Sequence, residues 1–231
     1  MVVASFHLLR FEGAHAARRL ASVPVDRRAL RRLDGLRFAR LLGTGRGDTM
    51  TTSADLRRWA VFAVWDDGEA LARLGDFGGR WAGAVERYDV TMAPLGAHGS
   101  WGGEDPFADS HPPIEGNDGP VAVVTRATVR LRRLRAFLRS VPGVEATMSD
   151  APGLLAAVGI GEVPIGRQAT FSLWSDAASV QSFAYSQPAH ASVVERTRVD
   201  DWYGEEWFAR LRPVVASGTW DGADPLAGTL A

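Results

Sequence analysis

The sequence predicts an α+β fold in which two tandem ferredoxin-like units close into a pseudo-dimeric α+β barrel. Three observations carry that expectation. The chain contains an internal duplication, each copy reads strand, helix, strand, strand, helix, strand, and such a unit leaves one sheet face bare for a second copy to cover. With 231 residues, 46% of them hydrophobic, there is apolar material for a large core.

The duplication rests on matched blocks. Residues Arg58 to Asp67 (RWAVFAVWDD) align with Arg167 to Asp176 (RQATFSLWSD), and Trp81 to Arg87 aligns with His190 to Arg196 at the same offset of 109. A third pair, Gly99 to Phe107 against Gly218 to Leu226, has an offset of 119, so the second copy has gained residues ahead of its last strand. The aromatic stretch Asp201 to Trp207 is assigned to that insertion, as a helix extension or a pocket wall. The repeats are divided at 1–119 and 120–231, the Gly-, Pro- and Asp-rich stretch from His98 to Pro120 reading as their connection.

Each copy opens on a β-branched or alternating run, Val2 to Phe11 and Val121 to Val129, which reads as a strand. A helix follows. In the second copy Leu134, Phe137, Leu138 and Val141 recur at helical spacing, with Arg132, Arg133, Arg135 and Arg139 mostly on the other side; Leu30, Leu33 and Leu36 play that part in the first. Glycine-bearing turns (Gly43 to Gly47; Gly159 and Gly161) are expected before the next strands. Asp66, Asp67 and Asp176 then stand where a second helix needs an N-cap.

Composition removes whole classes of chemistry. All 26 basic residues are arginine, so a lysine Schiff base is excluded, and the absence of cysteine excludes thiol nucleophiles, disulfides, zinc thiolates and thiolate-ligated haem. A net charge of −1 gives no reason to expect nucleic acid as a partner. There is no apolar run of membrane-spanning length, and Met1 to Arg10 lacks a secretory pattern, which makes the cytoplasm the expected address. Gly43-Thr44-Gly45-Arg46-Gly47 matches no nucleotide-binding fingerprint, and Glu104, Asp105, Asp109 and His111 read as a solvated loop. His7, His15 and His98 form no zinc-hydrolase pair.

Differences between the copies locate the candidate site. On the strand after the glycine turn, one face carries Trp59, Val61 and Ala63 in the first copy but Gln168, Thr170 and Ser172 in the second. The opposite face is apolar in both. Polar groups introduced on an apolar face need partners, from protein, water or ligand. The second difference is His190 in place of Trp81: following Pro188, it falls in the first turn of an expected helix, where the dipole favours neutral imidazole. A neutral inward histidine is either a metal ligand or a satisfied core residue.

The stretches Thr125 to Thr128, Gly159 to Pro164, Thr170 to Trp174, Pro188 to Ala191 and Trp202 to Arg210 resemble the spheroidene monooxygenase family, and the similarity extends over nearly the whole chain. The resemblance implies oxygenation of a small apolar substrate such as an acyclic carotenoid, by a haem enzyme that takes electrons from a ferredoxin-type donor. It makes His190 first choice for the axial ligand of haem b. Arg167 or Arg126 would pair with the propionates, Gln168, Thr170 and Ser172 would face the open side of the iron, and Trp174, Phe183, Tyr185, Trp202 and Trp207 would form apolar walls. Chlorite dismutases and aldoxime dehydratases share this duplicated plan. The alternatives are a redox-neutral haem dehydratase, a cofactor-free monooxygenase of the antibiotic-biosynthesis type, and a haem carrier; oligomer formation and peripheral membrane contact stay open.

Overall fold

The structure, a computed structural model, describes residues 1–46, 54–75, 77–108, 110, 119–133, 148, 150–162, 167–186 and 202–230, with only the backbone at 131, 167, 168, 185 and 186. The elements are β1 (Val3–Phe11), α1 (Gly13–Leu30), β2 (Leu36–Gly45), β3 (Ala54–Trp65), α2 (Gly68–Ala72), β4 (Ala84–Gly99), β5 (Val121–Val129), a 3-10 turn (Leu131–Arg133), β6 (Leu154–Gly161), β7 (Arg167–Trp174), α3 (Ala177–Ser186) and β8 (Tyr203–Gly218). The strands form one closed antiparallel barrel in the order β1-β3-β2-β6-β7-β5-β8-β4. Read by halves, this is β4-β1-β3-β2 joined to β8-β5-β7-β6, so both copies have the ferredoxin-like strand order and their edges close each other. The two seams differ. β4 and β8 pair from Tyr88 opposite Gly218 to Gly99 opposite Trp207, whereas β2 and β6 share only Gly43 opposite Gly161 and Thr44 opposite Ile160.

Alternation along each strand sends one set of side chains into the barrel. Ala4, Phe6 and Leu8, Ala60, Phe62 and Val64, Ala122 and Val124, and Ala169, Phe171 and Leu173 belong to this interior core. An eight-stranded barrel has room for little beyond its own side chains, and here aromatic rings fill it. Phe6 stacks on Phe171 with centroids 3.8 Å apart, and Phe62 stacks on Trp101 at 5.8 Å.

Two twin loops stopper the barrel. Gly99 and Gly218, at φ 86° and 88°, turn the chain where a Cβ would lie 2.1 Å from the Glu206 carbonyl oxygen and 2.0 Å from that of Arg87. Each loop then inserts a tryptophan: Trp101 is fully buried against Phe38, Phe62 and Trp207, and Trp220 packs on Phe6, Tyr88 and Phe171. Carboxylates from the other copy hold them. Glu205 accepts from Ser100 Oγ and the Gly103 N–H, and Glu86 accepts from Thr219 Oγ1 and the Gly222 N–H. The start of the stretch expected to be a connection is therefore part of the core, because its tryptophan meets an aromatic cluster assembled from both halves.

Several local expectations change. The first helix is Gly13–Leu30, so Leu30 ends it, Leu33 lies in the following turn and Leu36 begins β2. Gly43, Gly45, Gly159 and Gly161 are strand residues, given ladder partners by the β2–β6 seam and the neighbouring strands. The stretch from Tyr203 to Trp207 is the start of β8, extended by pairing with β5. Trp81 lies in a turn. The expected second-copy helix over Leu134 to Val141 lies outside the described residues. The caps hold as expected: Asp67 accepts from the Ala70 N–H at 2.8 Å and Asp176 from the Ser179 N–H at 2.7 Å. Those hydrogen bonds lower both carboxyl pKa values.

Candidate functional site

The barrel registers superimpose the two copies rung by rung on their outer faces. Val3 pairs with Trp65 and Val121 with Trp174, so β1 matches β5 and β3 matches β7. On the first-copy face, Leu9, Phe11, Val61, Ala63, Trp65, Phe77 and Trp81 make a closed core. The space left there is a cavity of about 20 Å³ lined by residues that include Leu9, Leu41, Trp59, Phe77 and Trp81, room for one water. Asp26, a buried residue of α1, is satisfied by Arg19, Ser22 and Arg80.

A polar chain crosses this first face. His7, 5% exposed, shares a hydrogen bond with Asp89 through Nδ1 at 2.6 Å and another with Ser5 Oγ through Nε2 at 3.0 Å. Ser5 Oγ also accepts from the Trp65 indole N–H at 2.9 Å, and Arg87 pairs with Asp89 at 2.6 Å. The Trp81 ring lies against His7, centroids 4.8 Å apart. Serine, histidine and aspartate thus fall in line, but both Ser5 and His7 are enclosed and their bonds hold a tryptophan in place.

That chain explains Ser172. In the second copy the Trp174 indole N–H donates to Ser172 Oγ at 2.9 Å. Ser5 is the ladder partner of Ala63, and Val123 is the ladder partner of Ser172. The hydroxyl has moved across the ladder, from β1 in one copy to β7 in the other, while serving the same indole. Ser172, 4% exposed, therefore has a local structural partner.

The rest of the second face is different in kind. At register-matched positions Leu9 becomes Ala127, Phe11 becomes Val129, Leu41 becomes Gly159, Val61 becomes Thr170 and His7 becomes Thr125. Large side chains give way to small ones on β5 and β6, and on β7 a hydroxyl replaces a methyl of similar size. Thr125 is exposed where His7 is enclosed. Phe208 replaces Asp89 and packs at the edge of the cluster that includes Val121, Val123, Met148 and Trp174. α3 lays Val180 and Phe183 on that same cluster, Phe183 reaching the Trp174 ring at 5.3 Å.

Of the residues the sequence singles out, Thr170, Ser172, Trp174 and Phe183 are brought to this one face. The backbone of β7 places Gln168 on it too and Arg167 on the other; Tyr185 lies on α3. Arg126 alternates to the barrel interior, where it is 2% exposed and paired with Glu205; Trp207 is interior as well. His190, with Pro188 and Ala191, lies outside the described residues. Sequence reasoning missed Thr125 and Gly159, although both sit in the compared copies, because their counterparts His7 and Leu41 are identified only by strand register.

Charge at the mouth of the barrel is tightly held. Burial alone would raise the Glu205 carboxyl, but hydrogen bonds from the Gly103 N–H, Arg126 and Ser100 outweigh it and hold the pKa at about 2. Burial, helped by Glu206, raises Tyr203 to about 12, and burial with Asp224 nearby raises Tyr88. Among the described residues no three His, Asp or Glu side chains form a metal-binding group, and no helix is long and apolar enough to cross a membrane.

Fold and faces together define a duplicated ferredoxin-like barrel with a plugged interior, one sealed outer sheet face and one built from small residues. Solved structures share the architecture: an aldoxime dehydratase superposes with TM-score 0.61 at 11% identity, over 92% of this chain and 81% of that one. Another, in complex with butyraldoxime, gives 0.62 at 11% identity over 99% and 84%. No protein-family model matches the chain. Spheroidene monooxygenase of Rhodobacter capsulatus is 34% identical over 232 residues, 98% of this chain and 96% of that protein, and that of Rubrivivax gelatinosus is 34% identical over 196 residues, 81% and 73%. The chain belongs to the spheroidene monooxygenase family, and its class of activity is that of a monooxygenase.

Proposed function

We propose that this chain oxygenates an acyclic carotenoid or a similar extended apolar substrate on the outer face of its second-copy sheet, with haem b as cofactor and His190 as axial ligand. The observation that carries the proposal is the contrast between the two outer faces. At matched positions Leu9 is replaced by Ala127, Leu41 by Gly159 and His7 by Thr125; Ala127 and Gly159 are buried, whereas Thr125 is exposed and Thr170 half-buried. A flat apolar ligand over Thr125 and Thr170 would cover the part of this face that is accessible where the sister copy has buried His7 and Val61.

The comparison of the two copies supports such a group. Trp81, which stands in the first copy where His190 stands in the second, is 7% exposed and faces His7 on the sheet. By the same placement His190 would face Thr125. With no cysteine in the chain, imidazole is the natural ligand. Haem, when bound, supplies the activation of dioxygen. In this reading His190 would hold the iron as neutral imidazole, Trp174 and Phe183 would exclude water, and the Thr170 hydroxyl would donate a hydrogen bond beside the substrate. Neither arginine considered for the propionates stands on this face: Arg126 is engaged by Glu205 inside the barrel, and the β7 backbone sets Arg167 on the side opposite Thr170. In the net reaction one oxygen atom enters the substrate and the other leaves as water, with two electrons from a ferredoxin-type donor and two protons from solvent.

The fully packed barrel favours this location over a central tunnel, since Trp101 and Trp220 close the interior. The test is reconstitution of the full chain with haem. A Soret band is expected in the wild type and in His15→Ala, and its loss in His190→Ala. The loaded protein should convert an acyclic carotenoid only when oxygen and reduced donor are both supplied. No Soret band in the wild type overturns the haem assignment, and turnover of an aldoxime without oxygen or reductant overturns oxygenation in favour of dehydration.

A further inference from the structure

The second-copy face does not end at the small-residue floor. Its ladders set five residues in one row on one side of the sheet: Gly159 opposite Thr170, Thr170 opposite Thr125, Thr125 opposite Phe208, and Phe208 opposite His98. Directly paired residues of antiparallel strands point to the same face. With strands about 4.8 Å apart, the row crosses β6, β7, β5, β8 and β4 over about 19 Å.

Its character changes from end to end. Glycine and two hydroxyls occupy one end. At the other the Phe208 ring lies against His98, centroids 5.3 Å apart at 30°, and Leu95 packs on the same cluster as Phe208. Both Thr125 and His98 are exposed. The sister row is shut: Leu41, Val61, His7 and Asp89 stand in it, with His7 and Asp89 bonded to each other under Trp81. The two rows differ at their centres: Val61 and His7 are buried in one, whereas in the other Thr170 is half-buried and Thr125 exposed, with Gly159 buried at one end and His98 exposed at the other.

We infer that this row is the binding track of an elongated conjugated hydrocarbon, with its reacting end over Thr125 and Thr170 and its tail over Phe208 and His98. The inference rests on the functional reading above and specifies where its substrate lies. An extended chain suits the row because the row is long and its tail half carries the Phe208 ring beside His98 and Leu95. Aromatic rings there offer large contact area with little side-chain entropy to lose. Thr125 is then a positioning residue that fixes which carbon is presented, and Phe208 and His98 determine the length of chain accepted.

The probe is 1,6-diphenylhexatriene, a fluorescent hydrocarbon polyene, titrated into the full-length chain. His98→Glu places a charge on an exposed track position at little risk to folding, and it should weaken binding at least tenfold. Phe208→Ala should do the same and Phe208→Leu should recover most of it. In the loaded enzyme the His98→Glu loss should appear in KM, whereas Thr125→Val should lower kcat or move the oxygenated carbon. Unchanged probe affinity in both His98→Glu and Phe208→Ala, with circular dichroism intact, overturns the track. The Soret test stands apart: a missing band with the expected losses of probe binding defeats the haem assignment and leaves the track, and a normal band with insensitive probe binding defeats the track alone.

Discussion

Removing the Ser172 hydroxyl separates a structural role from a catalytic one. Trp174 is 2% exposed and its indole N–H donates to Ser172 Oγ at 2.9 Å. Ser172→Ala leaves that donor buried without a partner, at a cost of about 1–3 kcal/mol. For a chain of this size each kcal/mol lowers Tm by about 2–4 °C, so the loss should be roughly 2–12 °C. The first copy supplies the repair. There alanine occupies the Ser172 position and serine the Val123 position, with the indole satisfied at the same 2.9 Å. The double variant Val123→Ser with Ser172→Ala should therefore recover to within about 1 kcal/mol of wild type, a coupling that a double-mutant cycle measures. Thermal unfolding followed by circular dichroism, with near-ultraviolet spectra to report the tryptophan environment, is the assay. The reasoning is refuted if the double variant is as unstable as the sum of the singles. It is also refuted if Ser172→Ala keeps full stability and loses only turnover.

The mouth of the barrel yields a pH prediction. Glu205 titrates at about 2 in the fold against 4.5 unperturbed and its side chain is 20% exposed, so its contribution, on the order of 3 kcal/mol, is complete above pH 4.5 and is lost as pH falls toward 2. Urea midpoints should decline across that window in the wild type, and Glu205→Gln should be destabilised at pH 7 and show a shallower decline. Trp101→Ala removes a fully buried stopper, for which a loss of about 3–5 kcal/mol is expected in chemical denaturation. Gly218→Ala forces a Cβ to within 2.0 Å of the Arg87 carbonyl oxygen at φ 88°, and should lower Tm sharply while Gly222→Ala, with nothing within 4 Å, costs less.

Much of the architecture can be read from the residues because it rests on local signals repeated twice. Alternation marks Ala60, Phe62 and Val64, and their counterparts Ala169, Phe171 and Leu173, as one buried face, and all six line the barrel. Asp67 and Asp176 announce helix starts by chemistry that acts within three residues. The first helix is harder to place, since much of Gly13–Leu30 is exposed and Asp26 and Leu30 are its fully buried residues, which leaves only a weak apolar stripe. The candidate site is legible in part. Thr170 and Ser172 stand out as polar replacements, but their roles diverge according to whether an indole lies within reach.

Sequence alone determined the duplication, the exclusion of thiol and amine chemistry, and the face on which the copies part company. These depend on composition and on period, which any chain carries without folding. Tertiary structure decided what register and closure decide: that Gly43 meets Gly161 across a seam, that Trp101 and Trp220 fill the barrel, that Arg126 turns inward to Glu205, and that Thr125, Phe208 and His98 join Thr170 in one row. Contacts of this sort join strands far apart in the chain, and a shift of one residue in any ladder would send each side chain to the opposite face.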